Sequence, residues 1–311
     1  MIATVTLNPA IDKTLVVPDF APGKTNRGEV ERLDPGGKGN NVAKTLRQLG
    51  CPVVALGFVA GLNGQFLRRA LDALGIPHDF LEVPGETRVN LKIEDPLNGT
   101  ETELNEPGFP VMPAHLKEIE RRVADYAARA EVVVFSGSLP PGAPPETYAA
   151  LIEVAKGRGA KTVLDASGAA LRAAIAAQPD LVKLNRVEAE ELLGPATDPE
   201  AALGRVQAMG PARVVISLGA DGAVGAGDGR RYRARPPRVR TRCTVGAGDA
   251  MAAALASALA SQMAFPDALR LATAAGAATA ASSGSSAASR DAIEALLCQV
   301  ELTDLGEVTP Q

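Results

Sequence analysis

Apolar and polar residues alternate along residues 2–7, a two-residue period that predicts a strand with one face on a core. The pattern ends at Asn8-Pro9-Ala10-Ile11-Asp12, which places Asp12 at the strand's carboxyl end. Residues 53–59 are apolar throughout, as a strand buried on both faces requires. Residues 42–50 and 64–74 instead carry helical spacing, the first closed by Gly50. Alternation returns at 87–93, and 101–104 can pair back after the Asn98-Gly99 turn, a hairpin with one polar face. Together with 14–17 and 28–33 it predicts a small sheet outside the main one.

From residue 113 the rhythm becomes helix, strand, helix, strand. Helices are expected at 115–129, 146–157 and 171–177, and strands at 131–135, 161–164, 181–184 and 214–217. Such alternation argues for a parallel sheet covered by helices on both faces. Polar residues fall at the strands' carboxyl ends: Ser136, Asp165, Asn185 and Ser217, the last followed by Leu218-Gly219. In open α/β sheets that edge is the ligand crevice. Residues 222–229 read as a glycine-dense hairpin. The basic run Arg230, Arg231, Arg233, Arg235, Arg238, Arg240 and Arg242 fits the solvated face of a strand. With no aromatic interleaving beyond Tyr232, it argues little for nucleic-acid binding. Ala-rich helices at 251–264 and 267–281, a Ser/Gly loop at 282–286 and a last helix complete the chain. No repeat or linker divides it, so 1–311 reads as one domain with a β-excursion from about 12–35 and 86–106.

Composition narrows the class. The chain has 311 residues, 46% of them hydrophobic, enough for a substantial core. A net charge of −4 gives no general pull toward nucleic acid or membrane. Three well-separated cysteines predict free thiols in a reducing compartment, and two histidines without Cys/His pairing disfavour zinc. The first residues carry no basic region or cleavage site, and no apolar stretch is clean enough to span a bilayer. The expectation is a soluble cytoplasmic protein.

Two glycine-rich stretches carry candidate chemistry. Cys243-Thr244-Val245-Gly246-Ala247-Gly248-Asp249-Ala250 opens a helix, so unpaired amides and the positive end of a dipole are available to a phosphate. A carboxylate there is repelled by phosphate unless it handles a proton, which makes Asp249 a candidate general base. The plainer possibility is an Asp N-cap. Asp34-Pro35-Gly36-Gly37-Lys38-Gly39-Asn40-Asn41 lets a ligand lie against backbone, adds a cation, and offers amides for hydroxyls. Gly23-Lys24-Thr25 is not a Walker A loop, because Pro18 stands where its first glycine belongs.

On these motifs the sequence resembles the ribokinase-like (PfkB) carbohydrate kinase family over essentially its whole length. Gly36-Gly37-Lys38-Gly39-Asn40-Asn41-Val42-Ala43 matches the amino-terminal signature and Thr244-Val245-Gly246-Ala247-Gly248-Asp249 the carboxyl-terminal one. Ser136-Gly137-Ser138-Leu139-Pro140, Asn185-x-x-Glu188 and Ser217-Leu218-Gly219 fall between them in family order.

The resemblance implies a Rossmann-like, doubly wound, mostly parallel sheet, with a small β-lid that closes over the sugar and often mediates a homodimer. Asp249 would be the catalytic base, and the amides of Gly246, Ala247 and Gly248 its anion hole. Asn185, Ser217, Gly219 and Thr244 would border ATP, and Glu188 would organise Mg²⁺, through water. Asp12, Gly37, Asn41 and Asn90 match sugar-contacting positions. Lys38, Arg88 in Thr-Arg-x-Asn, Ser138 and Arg27, the last reaching across a dimer, match the phosphate-binding positions of the phosphosugar branch. The wording is most similar to the 1-phosphofructokinase branch, which implies conversion of fructose 1-phosphate to fructose 1,6-bisphosphate. Tagatose 6-phosphate or fructose 6-phosphate are alternative acceptors. A silent sugar-phosphate sensor, or nucleic-acid binding, are alternatives of another class. The chain departs from the family pattern at Cys243, Ala250 and Leu184, which replaces the proline of Lys-Pro-Asn.

Overall fold

The computed structural model describes residues 1–282 and 287–308, so the Ser/Gly loop read at 282–286 lies, beyond Ser282, outside the described residues. In chain order the strands are β1 (Ile2–Thr6), β2 (Ala10–Val16), β3 (Glu29–Gly36), β4 (Val53–Val59), β5 (His78–Glu82), β6 (Arg88–Asp95) and β7 (Thr100–Asn105). They continue with β8 (Val132–Ser136), β9 (Lys161–Asp165), β10 (Leu181–Asn185), β11 (Arg213–Ser217), β12 (Ala223–Gly227), β13 (Arg230–Arg235) and β14 (Glu301–Glu307). The helices are α1 (Lys38–Gln48), α2 (Gly61–Ala73), α3 (Pro113–Ala127), α4 (Thr147–Gly157) and α5 (Gly168–Ile175). They end with α6 (Arg186–Leu193), α7 (Pro199–Gln207), α8 (Ala247–Ala260), α9 (Phe265–Ala281) and α10 (Arg290–Leu297).

Ten strands form the main sheet in the order β14-β13-β12-β11-β10-β9-β8-β1-β4-β5. From β5 to β11 all pairings are parallel, and β12, β13 and β14 add an antiparallel edge. Period-two alternation sorts the strand side chains between the two faces. Val53, Ala55 and Val59 of β4 join α1, α8 and α9 in one core, while Val54, Leu56 and Phe58 join α3 and α4 in the other. Helices therefore cover both faces, and the doubly wound reading holds.

The small sheet is also present, ordered β3-β2-β6-β7, with the β2–β6 pairing parallel and the other two antiparallel. Its polarity explains why it stands apart: five of the six β7 residues are exposed, so this strand could not enter a core. Here two expectations change. Asp12 does not sit at the end of β1 but inside β2, in register with Asp34 and Asn90. Nor does the helix wait until residue 42, where the sequence placed its start. Gly36 ends β3, Gly37 at φ 96° makes the turn, and α1 starts at Lys38, four residues earlier than its apolar spacing indicated.

Three elements escaped the pattern. β5 is a short edge strand with a half-exposed face, α7 follows a turn of mixed polarity, and β14 pairs only with β13. The hairpin read at 222–229 is β12 turning into β13. The alternating arginine run stays a strand only to Arg235, because Pro236 and Pro237 lack the amides a ladder needs.

Gly57 shows how tightly β1 and β4 fit. It has φ +143°, and a Cβ placed there would lie 1.9 Å from the Thr6 carbonyl oxygen of the neighbouring strand. Gly57→Ala should therefore cost about 3 kcal/mol or more in urea unfolding, from overpacking and forbidden backbone together. A loss under about 1 kcal/mol would mean the strands separate easily at this point.

Candidate active site

The carboxyl ends of β9, β10 and β11 deliver Asp165, Asn185 and Ser217 to one edge of the main sheet. The amino terminus of α8 and the small sheet face the same space. Between them lies a cleft of about 1150 Å³, lined at one end by Asp12, Arg88 and Asn90 and at the other by Ser217, Gly219 and Pro236. Lys38, Lys183 and the Gly246–Asp249 segment line it between these ends. Its size suits two ligands held end to end.

Behind the lining of that middle region Asp165 is fully buried, in contact with two of its lysines. Lys38 Nζ lies 3.0 Å from its Oδ1 and Lys183 Nζ 3.3 Å from its Oδ2. Burial opposes ionisation of Asp165, yet the charges of Lys183 and Lys38 outweigh it and hold the carboxyl below the usual aspartate range. Lys38 is in turn held protonated, above all by Asp165. Its Nζ also stands 3.7 Å from Glu188 Oε1. Lys38, expected from the sequence at a phosphate-binding position, is thus also a counter-ion of the buried Asp165.

Asp249 lies in the first turn of α8, and Gly246, in left-handed conformation at φ 80°, is the N-cap. Its side chain makes no cap, which removes the plainer possibility. Instead Oδ2 accepts a hydrogen bond from Asn41 Nδ2 at 2.8 Å. Burial, reinforced by the charge of Asp165, raises the Asp249 pKa, against the pull of Lys38 and Asn41. The amide of Ala247 donates to the Thr244 carbonyl at 3.3 Å, which leaves those of Gly246 and Gly248 better placed for an anion. Gly248 has a second reason to be glycine: a Cβ there would meet Lys183 Nζ at 2.9 Å. The helix start and an ammonium thus share one anion-facing surface.

At the main-sheet end, Asn185 and Glu188 form a reciprocal capping box at the start of α6, both bonds 2.8 Å. Glu188 Oε2 is spent on that box, while Oε1 faces Lys38. Ser217 Oγ donates to the Leu184 carbonyl at 3.2 Å, and Gly219 and Thr244 line the cleft. Among the described residues no three acidic, imidazole or thiol groups gather as a metal cage. A Mg²⁺ carried mainly by phosphates and water asks for only one or two carboxylates, and Glu188 fits that demand.

At the small-sheet end, Asp12 accepts a hydrogen bond from Asn90 Nδ2 at 2.9 Å, and burial raises its pKa. Gly36 is required beside it, since a Cβ would collide with the Asp12 carboxyl at 2.4 Å. Arg88 donates to the Glu106 carbonyl at 2.9 Å and the Asn8 carbonyl at 3.3 Å. Asn8 Nδ2 donates to Ser138 Oγ at 3.2 Å, so Asn8 joins Arg88 to Ser138.

The cleft gathers most of the residues singled out in the sequence, including Gly37 and Asn41, but not all. Arg27 is exposed on the connection between β2 and β3, and neither it nor Ser138 nor Glu188 lines the cleft. Sequence reasoning gave no role to Asp165, Lys183 or Asn8. The available signals were a polar residue at each strand's carboxyl end and a lysine inside the apolar run Leu181-Val182-Lys183-Leu184.

Residues 5–292 match the profile of the pfkB family carbohydrate kinases. The chain belongs to this family. It is 39% identical to the 1-phosphofructokinase of Rhodobacter capsulatus, covering 88% of each chain. It is 35% identical to that of Escherichia coli K12, covering 97% of each. Phosphofructokinase-2 from Escherichia coli, solved in complex with potassium, superposes with a TM-score of 0.91 at 32% identity, covering 96% of this chain and 98% of that one. The protein is accordingly a carbohydrate kinase, a phosphotransferase with an alcohol acceptor, and ATP is its implied donor. No described helix is long and apolar enough to cross a membrane.

Removing the buried carboxylate tests the arrangement. Asp165→Asn leaves Lys38 and Lys183 facing each other without their carboxylate and should cost about 3–5 kcal/mol in urea unfolding. Adding Lys38→Met should restore part of the loss, because only one ammonium then remains. Strictly additive losses would show that the two groups do not interact.

Proposed function

We propose that the protein phosphorylates fructose 1-phosphate on its C6 hydroxyl, using ATP, to give fructose 1,6-bisphosphate. The observation that carries this reading is Asp249, a buried carboxylate of raised pKa beside the Gly246 and Gly248 amides and across the cleft from the sugar-facing Asp12 and Asn90. The names of the relatives support the choice of acceptor.

In the reaction, Asp249 takes the proton of the C6 hydroxyl as its oxygen attacks the γ-phosphorus. The new O–P bond forms as the bond to the β-phosphate oxygen breaks, and ADP leaves. The Gly246 and Gly248 amides with Lys183 hold the charge spreading over the transferring group. Lys38, placed between Asp165 and Glu188, serves this phosphoryl group rather than the acceptor's own phosphate. Mg²⁺, when bound, would neutralise the nucleotide phosphates, with Glu188 holding it through water.

The acceptor's phosphate falls to Arg88 and Ser138, brought together by Asn8. The small sheet acts as the lid, excluding water when the sugar is bound. Exposed Val30, Leu33 and Leu104 on that sheet support a homodimer built through it, in which Arg27 would serve the partner's acceptor site. Phosphofructokinase-2 as a structural neighbour favours fructose 6-phosphate as the second acceptor to try. A coupled assay with fructose 1-phosphate, fructose 6-phosphate, tagatose 6-phosphate and fructose in parallel tests the assignment, and efficient use of fructose alone would end it.

A base must be ionised to act, and the folded pKa of Asp249 is raised, so activity is lost as pH falls through that raised value. The acid limb of kcat/KM should lie above 3.8, the ordinary value for aspartate. Asp249→Asn should lower kcat by at least ~10²-fold while ATP affinity holds. Near-normal turnover in this variant would remove Asp249 from the chemistry.

Arg88→Ala should weaken kcat/KM for fructose 1-phosphate by about 2–4 kcal/mol, the scale of a lost charge-assisted bond and its positioning. ATP affinity should change little. If slow turnover of fructose falls by the same factor, Arg88 holds the small sheet and not the phosphate.

A further inference from the structure

The arginine run divides into two populations. On β13 three guanidinium groups are engaged: Arg230 pairs with Asp304 at 2.7 Å, Arg233 with Glu200 at 2.8 Å, and Arg231 donates to the Leu305 carbonyl at 3.4 Å. From the last residue of the strand onward, Arg235, Arg238, Arg240 and Arg242 are all exposed, and among the described residues none of the four has an ion pair or side-chain hydrogen bond. These four lie within eight positions of a chain whose net charge is −4.

Their segment is fixed at the cleft. Pro236, Pro237, Arg238 and Val239 line it, as does Arg186 at the start of α6, in the half assigned to the nucleotide. The amides of Arg242 and Cys243 both donate to the Ala280 carbonyl, at 2.8 and 3.3 Å, and Thr244 follows directly. Asp221 is the one carboxylate on the Ser217–Gly222 wall nearby. The backbone is thus held while the guanidinium groups stay unpaired beside the entrance. Solvated arginines without carboxylate partners repel one another and add nothing to the fold.

We propose that the segment 235–242 is a cationic rim that captures the polyphosphate of the incoming nucleotide and speeds its entry into the cleft. The inference rests on the kinase reading for the nature of the anion. A cluster of one sign at a cleft mouth raises the on-rate of an oppositely charged ligand by about 10- to 10³-fold, and part of that gain belongs to each charge. The acceptor enters toward the small sheet, at the other end, and should feel the rim less. Arg240 and Arg242 do not line the cleft, so they act on capture rather than on the bound nucleotide.

The test is stopped-flow binding of a fluorescent ATP analogue with Mg²⁺ to the wild type and to Arg240→Gln/Arg242→Gln, followed by steady-state kinetics. At an ionic strength of about 20 mM the double variant should bind about 3- to 10-fold more slowly, with dissociation within about twofold. The difference should close by about 0.5 M sodium chloride, where screening is nearly complete. kcat and the KM for fructose 1-phosphate should not move. An unchanged on-rate at low salt overturns the proposal, as does an equal loss for both substrates. It is also overturned if the variant keeps its nucleotide rates but loses retention of RNA or inorganic polyphosphate. Nucleotide binding is read directly, so a wild type that binds it salt-dependently yet ignores fructose 1-phosphate would break the acceptor assignment and leave the rim standing.

Discussion

Asp165 is a carboxylate with no exposure to water, and the rest of the cleft is arranged around keeping it charged. An isolated buried charge is prohibitively costly, so cations must come to it. One comes from the first residue of α1 and the other from β10, so satisfying Asp165 fixes the turn at Gly37 and the strand that carries Asn185. The same two ammonium groups face the start of α8. The interaction that makes the interior tolerable therefore also assembles the positive surface where a phosphoryl group would be transferred.

Asp249 gains its character from that pair by contrast. The two aspartates share one low-dielectric region, but only Asp165 is bracketed by both lysines. Asp249 has a neutral amide, Asn41, as its hydrogen-bond partner. The unequal sharing of cations pushes the two pKa values apart, one down and one up, as acid–base assignments require. A raised carboxyl beside a fixed anion site is a better proton acceptor near neutral pH than an ordinary aspartate.

Much of the architecture was legible, because long apolar strands and amphipathic helices announce themselves by period. The small sheet was legible too, since its strands alternate but carry polar residues on the outer face. Asp12 was placed in the wrong element because Pro9 and Ala10 look like a break, whereas the chain merely changes sheets. β5 and β14 were missed because edge strands bury little and so have weak patterns. Around the cleft, residues carried by recognisable motifs were found, on strands as well as glycine turns, but Asp165 and Lys183 were given no role. Asp165 and Lys183 are ordinary side chains whose meaning depends on the parallel register of β9 and β10, a long-range fact no local pattern carries. The glycines show the converse. Gly36 and Gly248 are needed less for freedom of the turn than for the room that Asp12 and Lys183 occupy against them.

The three positions that depart from the family's wording can be weighed by where their side chains lie. Ala250, on α8, is fully buried in the core and does not line the cleft, so a hydroxyl there would not face the cleft. Leu184 packs in the core on the opposite face, and its carbonyl receives Ser217 Oγ at 3.2 Å, tying β10 to β11 at their carboxyl ends. Cys243 does face the cleft, but at its rim, where Lys92 Nζ of the small sheet reaches its sulfur at 3.7 Å. Lys92 is also held by Glu94 at 2.9 Å and Glu101 at 3.0 Å within its own sheet. A thiol accepts a weaker bond than a carboxylate or hydroxyl would. Of the three changes, then, the one at Cys243 bears on how firmly the small sheet meets the turn that leads into α8, and none removes a group from the line between Asp249 and the anion-facing amides.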